Sequence, residues 1–582
     1  SGRGPAARPV PSFYRRRGLY LKNILFGFIF MPDAKRNAAI YYIEDGFDPK
    51  KGLNGRRIAG QSFLKGFFDH ADVDEFIALS TNNKRLEAFK KIAKDHGASK
   101  PVKGVLCSAP QPLQELGAMF ISMPNYQKQA WQRLHFGMES YSLCGLTHTI
   151  SSAASMDGIY SLRASPQAEW DAIICTSRAV HAAMQYLFEA ADDFLSHRFG
   201  TVPPRPQLPV VPLGVHAKDF SRKPEIRHSF RQEMGWTEDD IVVSTVARLS
   251  PYSKFDPLPL FISLQHAQKA LGSQKRLHMV ACGYYAETHS KKVFEDGAAA
   301  LMPDVGYHYL DGDVSGNRDK AYSGADIAAY PIDNTQESFG LSPVEAMAAG
   351  LPVIASDWDG LRDTVSPDVG IRVPTFSLSG AQTANQARLL HLDQINFAQY
   401  SGNLSAQVEI NVPALIDAIV GLASNDTLRK KMGENAIKRV ETTYDWSVVV
   451  PQMQDVWAHL AEIRACKAQT KRQYPNSHPI APPPMDYLSQ FPTHFMSHGT
   501  QICKAMNSSD ISIEEMFKLR RYVSAGHQFE TVETISAVMS QITKSGTQGV
   551  ALDTVAAALK INLMNVEKAY CWLLKYGYIS RV

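Results

Sequence analysis

From Ala38 onward, short apolar runs alternate with longer stretches of helical periodicity: Ala39 to Ile43, then Phe63 to Asp69, Glu75 to Leu79, Leu86 to Lys94 and Gly104 to Cys107. Strands that arrive one at a time, each followed by a helix, can pair only through crossovers, so the pattern predicts an α/β fold built on parallel sheets. The rhythm resumes with Ile241 to Ala247, Leu277 to Gly283 and Ile327 to Tyr330, and it ends with Gly370 to Pro374. A chain of 582 residues is too long for one core, and ordinary domain sizes suggest about three or four units.

The stretch from Tyr330 to Thr364 carries the most chemistry. Its apolar strand stops at Pro331, Ser342-Pro343 opens a helical run, and Gly350 with Pro352 closes it. Ser342, Pro343 and Glu345 fall on the N-cap, N1 and N3 positions, a capping box in which Glu345 ties back to the Ser342 amide. The same geometry leaves the amides of Phe339, Gly340 and Leu341 unpaired beside a helix N-terminus, where the macrodipole favours an anion. Gly340 lets a ligand approach the backbone closely. Glu337 and Glu345 add two carboxylates able to accept hydrogen bonds from hydroxyl groups. A phosphorylated sugar fits such a corner.

Glu337-Ser-Phe-Gly-Leu-Ser-Pro-Val-Glu345, followed by Ala-Met-Ala-Ala-Gly-Leu-Pro-Val-Ile, resembles the E-x7-E signature of retaining, nucleotide-sugar-dependent glycosyltransferases of the GT-B fold, family GT4. The resemblance runs from about Ala38 to Ile463 and is strongest between Ile241 and Val373. It implies two Rossmann-like domains facing across a cleft, with Glu337 toward the donor sugar, Glu345 on the ribose, and the amides of Phe339, Gly340 and Leu341 on sugar and phosphate. It carries His148, at the end of a strand, to a place beside the donor sugar, and the glycine-rich turn around Gly55 to the cleft. It puts Arg248 and Lys254 on the donor diphosphate, although the gap between them is one residue longer than the usual pattern. The backbone around Gly312 borders the nucleobase. Fixed cations suit this role, because a departing nucleoside diphosphate builds negative charge. Asp311 and Asp313 are read as turn residues, and the resemblance implies no bound metal. The reaction it implies is a front-face displacement, with the donor nucleotide sugar as co-substrate and the leaving phosphate helping to take the acceptor proton. The acceptor is unspecified: glycan, lipid-linked or protein.

The balance of 61 Lys and Arg against 57 Asp and Glu, a net charge of +4, argues neither for nor against nucleic acid, whereas the tail from Gln501 onward, with nine Lys and Arg against seven Asp and Glu, lacks the electrostatic footprint that DNA binding needs. Seven cysteines, at 107, 144, 175, 282, 466, 503 and 571, include no CxxC pair. Their scatter argues against a zinc site or a disulfide framework and for a reducing, cytoplasmic setting. Arg15-Arg16-Arg17 and the aromatic run behind them are read as an N-terminal arm and a buried strand. The alternative is a peripheral contact with the inner face of a membrane.

The expected organisation is an arm over 1–37, an acceptor-side domain over 38–205 and a donor domain over 206–444, with the proline-rich stretch Val202 to Pro212 marking the link between them. A helix over 445–465 crosses back to the first domain. A proline-rich linker over 466–500 then precedes a winged-helix-like unit over 501–582, suited to a protein partner or self-association. Thr176 and Ser177 are expected as helix caps. Thr375 to Asn411 is a polar connection without assigned structure. Two other classes stay open: another enzyme of the same fold, a phosphorylase or a nucleotide-sugar epimerase, and a non-catalytic binding protein acting through the C-terminal unit.

Overall fold

The computed structural model describes residues 36–47, 55–467, 478–496, 499–500, 502–506, 510–520 and 530–582. The arm over 1–35 and most of the turn before Gly55 lie outside the described residues.

Six strands form the first sheet: β1 (Ala38–Tyr41), β2 (Phe76–Ser80), β3 (Val102–Leu106), β4 (Ala118–Ile121), β5 (Ser142–Leu146) and β6 (Ala172–Ile174). They lie in the order β3-β2-β1-β4-β5-β6, and every pairing is parallel. The second sheet holds β7 (Ile241–Val246), β8 (Leu277–Gly283), β9 (Gly306–Asp311), β10 (Ile327–Tyr330), β11 (Val353–Ser356) and β12 (Gly370–Val373). Its order is β12-β11-β10-β7-β8-β9, again all parallel. Counted from its own first strand, each sheet reads 3-2-1-4-5-6, the doubly wound order of a Rossmann-like domain. The expected α/β architecture of two such domains is therefore the one observed.

The strands are nearly continuous apolar runs because helices cover both faces of each sheet. All six residues of β7, Ile-Val-Val-Ser-Thr-Val, are buried. Four helices matter for the site and the seam: α1 (Gly55–His70), α2 (Arg178–Phe199), α3 (Leu341–Ala348) and α4 (Trp446–Lys467). Ser177 caps α2 by accepting the Val180 amide, and Gly200, at φ 74°, ends it. A fully buried ion pair ties the first sheet to its helices. Arg133 reaches both carboxylate oxygens of Asp171, at 2.5 and 2.8 Å, and Asp171 also accepts the amides of Leu143 and Ala168.

The proline-rich stretch runs beside β6. Gln207 donates to the Asp171 carbonyl and Val211 to that of Cys175, while Pro209 accepts the Cys175 amide. Proline offers a carbonyl but no N–H, so it is tolerated at such an edge. Residues 375–411 also have structure: Thr375–Ser377 pairs antiparallel with Val408–Ile410, enclosing helices Gly380–His391 and Phe397–Ser405. The buried Ser401 hydroxyl donates to Asn334 at 3.0 Å, which seats this excursion on the loop leading to Glu337.

Helix α4 returns the chain to the first domain. Trp446 is wedged between Gly66 of α1 and Gly214, and its indole N–H donates to the Ser62 hydroxyl at 2.8 Å. Further along α4, Gln454 exchanges hydrogen bonds with the backbone of Asp72, and Arg464 donates to the Gly117 carbonyl and the Ser142 hydroxyl. Where the chain crosses, Val215 is hydrogen-bonded to Tyr444 and Trp446.

Residues 475–582 make a separate compact unit. Strand Ile502–Ala505 lies between Val550–Ala551 and Ile579–Arg581, antiparallel to both. Helices Val532–Lys544, Leu552–Leu559 and Leu563–Lys575 enclose its own core around Ile535, Val555, Tyr570 and Leu573. Among the described residues, no helix is long and apolar enough to cross a membrane.

Candidate active site

In a doubly wound sheet the order reverses between the first and fourth strands, and the loops leaving those strands diverge to open a crevice. In the second domain these strands are β7 and β10. The loop after β7 carries Arg248 and Lys254, and the loop after β10 carries Glu337. Both open onto a cleft of about 810 Å³ that is closed from the other side by Ile58, Ala59, His148 and Thr149 of the first domain.

Lys254 sits on a turn fixed by buried Ser250, whose carbonyl takes the Lys254 amide at 3.1 Å. Its ammonium forms an ion pair with Glu337, and both side chains are largely buried. Arg248 anchors one guanidinium nitrogen on the Ser253 carbonyl at 2.7 Å. Its buried Nε has no hydrogen-bond partner among the described residues, and Arg248 lines the cleft as a cationic side chain with donor capacity unused.

Burial opposes ionisation of Glu337, but Lys254 beside it and the amides of Gly340 and Phe339 hold its carboxyl below the ordinary glutamate range. The Gly340 amide reaches Glu337 Oε1 at 3.0 Å. The expectation of unpaired amides is thus corrected at Phe339 and Gly340, where the anion corner holds the protein's own carboxylate. The expected capping box is also absent. Helix α3 begins at Leu341 with Gly340 as its N-cap, at φ 94°. Only glycine adopts that conformation cheaply, and it moves the helix start ahead of Ser342. Pro343 then sits in the first turn, where a missing N–H costs nothing. Glu345, freed from capping, accepts the Tyr322 hydroxyl at 2.9 Å. Burial raises its carboxyl above the usual range, with Arg318 pulling the other way.

His148 lines the cleft, and its Nε2 lies 3.1 Å from the Ser122 carbonyl. Gly312 also lines it; its amide donates to the Gly283 carbonyl at 2.9 Å, and a Cβ there would stand 2.8 Å from Gly283 Cα. Asp311 accepts the Asp313 amide at 2.9 Å, which is turn geometry. Among the described residues no group of three or more His, Cys, Asp or Glu is placed to hold a metal. Gly55 is the first residue of α1, and of that helix Ile58 and Ala59 reach the cleft wall. The cleft wall therefore brings together His148, Arg248, Lys254, Gly312, Phe339, Gly340, Leu341, Glu337 and Glu345.

Three features escaped the sequence reading. Tyr322 and Arg318, the partners of Glu345, come from another helix, and no spacing links them. Thr149 and Ser151 donate to the carbonyls of Gln336 and Thr335, so the loops of the two domains touch beside the site. Asp363 accepts both the backbone amide and the Nε of Arg178, each at 2.6 Å.

Residues 226–439 match the family model described as glycosyl transferases group 1. The D-inositol 3-phosphate glycosyltransferase of Geodermatophilus obscurus is 29% identical over 241 residues, covering 40% of this chain and 50% of that protein. The phosphatidyl-myo-inositol mannosyltransferase of Mycobacterium leprae is 34% identical over 128 residues, covering 22% and 24%. The chain thus spans about half the length, or less, of these curated relatives. Among solved structures, Anabaena HepE in complex with UDP aligns over 72% of this chain and 100% of its own, with 17% identity and a TM-score of 0.46.

Proposed function

We propose that this protein is a glycosyltransferase that moves a sugar from a nucleoside-diphosphate donor to a hydroxyl acceptor with retention of configuration. The observation that carries the reading is the meeting of Arg248 and Lys254 with Glu337, Glu345 and the start of α3 in one cleft at the switch point of the second sheet. The family match over 226–439 and the names of the two relatives support the same class. Those names make inositol-bearing acceptors the first to test.

The donor diphosphate takes Arg248 and Lys254 as its counter-cations. Lys254 then leaves Glu337, whose carboxylate turns to the sugar hydroxyls, and the amides of Phe339 and Gly340 pass to sugar or phosphate. Glu345, steadied by Tyr322, accepts from the ribose. The bond from the anomeric carbon to the phosphate oxygen breaks, the bond to the acceptor oxygen forms on the same face, and the acceptor proton passes to the leaving phosphate. Fixed cations and oriented amides stabilise the charge that develops on the diphosphate, so the reading calls for no metal. The unit over 475–582, proposed as winged-helix-like, serves a protein partner or self-association, and the enzyme works in the cytoplasm or at the inner membrane face.

The test is a thermal-shift panel of UDP-, GDP- and ADP-sugars, with and without EDTA, followed by kinetics with the donor that binds. A donor at a hundred times its Kd stabilises the native state by about 2.7 kcal/mol. With that donor, Glu337→Gln lowers turnover, whereas Glu345→Gln mainly raises the donor KM. Wild-type kinetics in both variants would overturn the assignment. Loss of turnover in EDTA, restored by magnesium or manganese, would overturn the metal-free route. Phosphate-dependent glycan cleavage or epimer formation without an acceptor would identify one of the other enzyme classes.

A further inference from the structure

Asp359 lies in the loop after β11, and three features set it apart from an ordinary turn residue. Its φ is 33°, in the left-handed region that side chains other than glycine rarely adopt. One carboxyl oxygen, Oδ1, accepts the amide of its own neighbour Gly360, while the buried Oδ2 has no hydrogen-bond partner among the described residues. The same loop packs against the loop after β10, where a Cβ on Gly360 would stand 2.6 Å from both the Ser338 carbonyl oxygen and Phe339 Cα, so the charged groups nearest Asp359 are Glu337, from that loop, and its partner Lys254, from the loop after β7. Two carboxyls therefore stand near one ammonium, which pairs with Glu337, and like charges so placed do not both ionise. Glu337 holds the cation and two amides. Asp359 has amides of its own loop and an unpartnered oxygen.

We propose that Asp359 is a positioning residue that carries the shared proton of a carboxyl pair with Glu337, leaving Glu337 ionised and Lys254 undivided for an arriving diphosphate. The proposal rests on the donor-site reading given above. Burial, with Glu337 next to it, pushes the Asp359 carboxyl up to about 8. Above that pH a second carboxylate competes for Lys254, so the site loses its cation to its own wall. The strained backbone is then the means by which the carboxyl is held in the corner, where a glycine would meet no such strain.

The decisive measurement needs no ligand. A carboxyl whose pKa is raised in the folded state contributes stability that is full below the ordinary carboxylate range and is lost as pH rises through its folded value. Asp359→Asn is permanently neutral, so the Tm of the variant minus that of the wild type should rise from pH 5 to 8 and level off by pH 9. Asp359→Gly, which suits the left-handed backbone, should show the same pH signature and covers the case in which the asparagine variant folds poorly. A Tm difference that is flat with pH in both variants would overturn the proposal. Affinity for UDP, GDP or ADP supplies the functional arm. Between pH 7 and 9 the wild type should weaken by up to about tenfold, following the fraction of binding-competent protein, while the ratio in Asp359→Asn stays near one. Equal weakening in the variant would separate Asp359 from Lys254 and refute its positioning role. If none of the three nucleotides binds, the donor reading fails, and the ligand-free signature still decides the carboxyl pair.

Discussion

Trp446 is where α4 meets the first domain, and it invites a double-mutant cycle with Gly66. The indole is 2% exposed, stacks edge-on with Phe63 at 5.8 Å, and fills the space a Cβ on Gly66 would need. Such a Cβ would stand 2.4 Å from Trp446 Cγ and 2.7 Å from its Cβ. Trp446→Ala removes the wedge and should cost about 3–5 kcal/mol. Gly66→Ala overpacks the same seam, at about 1–3 kcal/mol, offset by about 1 kcal/mol of helix propensity gained inside α1. In the alanine-446 background the clash is gone, the new methyl fills part of the cavity, and the propensity gain remains. Gly66→Ala should therefore destabilise the wild type and stabilise Trp446→Ala, with a coupling of about 1–3 kcal/mol between contacting sites. Urea denaturation followed by far-UV circular dichroism, analysed at the first transition, measures all four corners. If Gly66→Ala has the same effect in both backgrounds, the wedge is not what joins α4 to α1.

Asp171→Asn keeps the shape of the buried pair but strands the Arg133 guanidinium, and both side chains are fully buried. It should cost about 3–5 kcal/mol, and a loss below about 1 kcal/mol in denaturant titrations would show that water reaches Arg133. A chain ending at Tyr474 retains every residue of the cleft wall, all of which lie between Ile58 and Glu345. It should bind the nucleotide sugar within about twofold of the full chain, as expected when a separate unit with its own core is removed. Folded but non-binding protein in isothermal calorimetry would refute this.

The strand framework was legible because buried parallel strands are written as apolar runs with no alternation to confuse: Ile327 to Tyr330 was placed to the residue, and Gly370 to Pro374 ran one residue past the observed strand. The start of α3 was misplaced because Ser342-Pro343 is a good capping pair by composition, whereas Gly340 caps through a backbone conformation that residue identity only permits. Residues 375–411 gave no signal because most of their surface is solvated, so neither helix needed an apolar stripe. Within the cleft, the residue types were readable but their pairings were not. Nothing in a chain shows that Lys254 and Glu337, 83 positions apart, will neutralise each other, or that Asp359 will join them.

The crossing between the two Rossmann-like domains has two strands of chain rather than one. Val215 leads out of the first domain, Trp446 leads back into it, and the two are held together by the Val215–Tyr444 and Trp446–Val215 backbone bonds of 2.8 and 3.1 Å. A single linker lets two bodies swivel and tumble; two linkers bonded side by side act as a strap, which bends across its width and resists twisting along its length. The paired crossing therefore opposes twisting of one Rossmann-like domain against the other. The Arg178–Asp363 bridge and the Thr149–Gln336 and Ser151–Thr335 contacts add a second line of attachment beside the cleft, so the two walls that a ligand meets are registered against each other at more than one place.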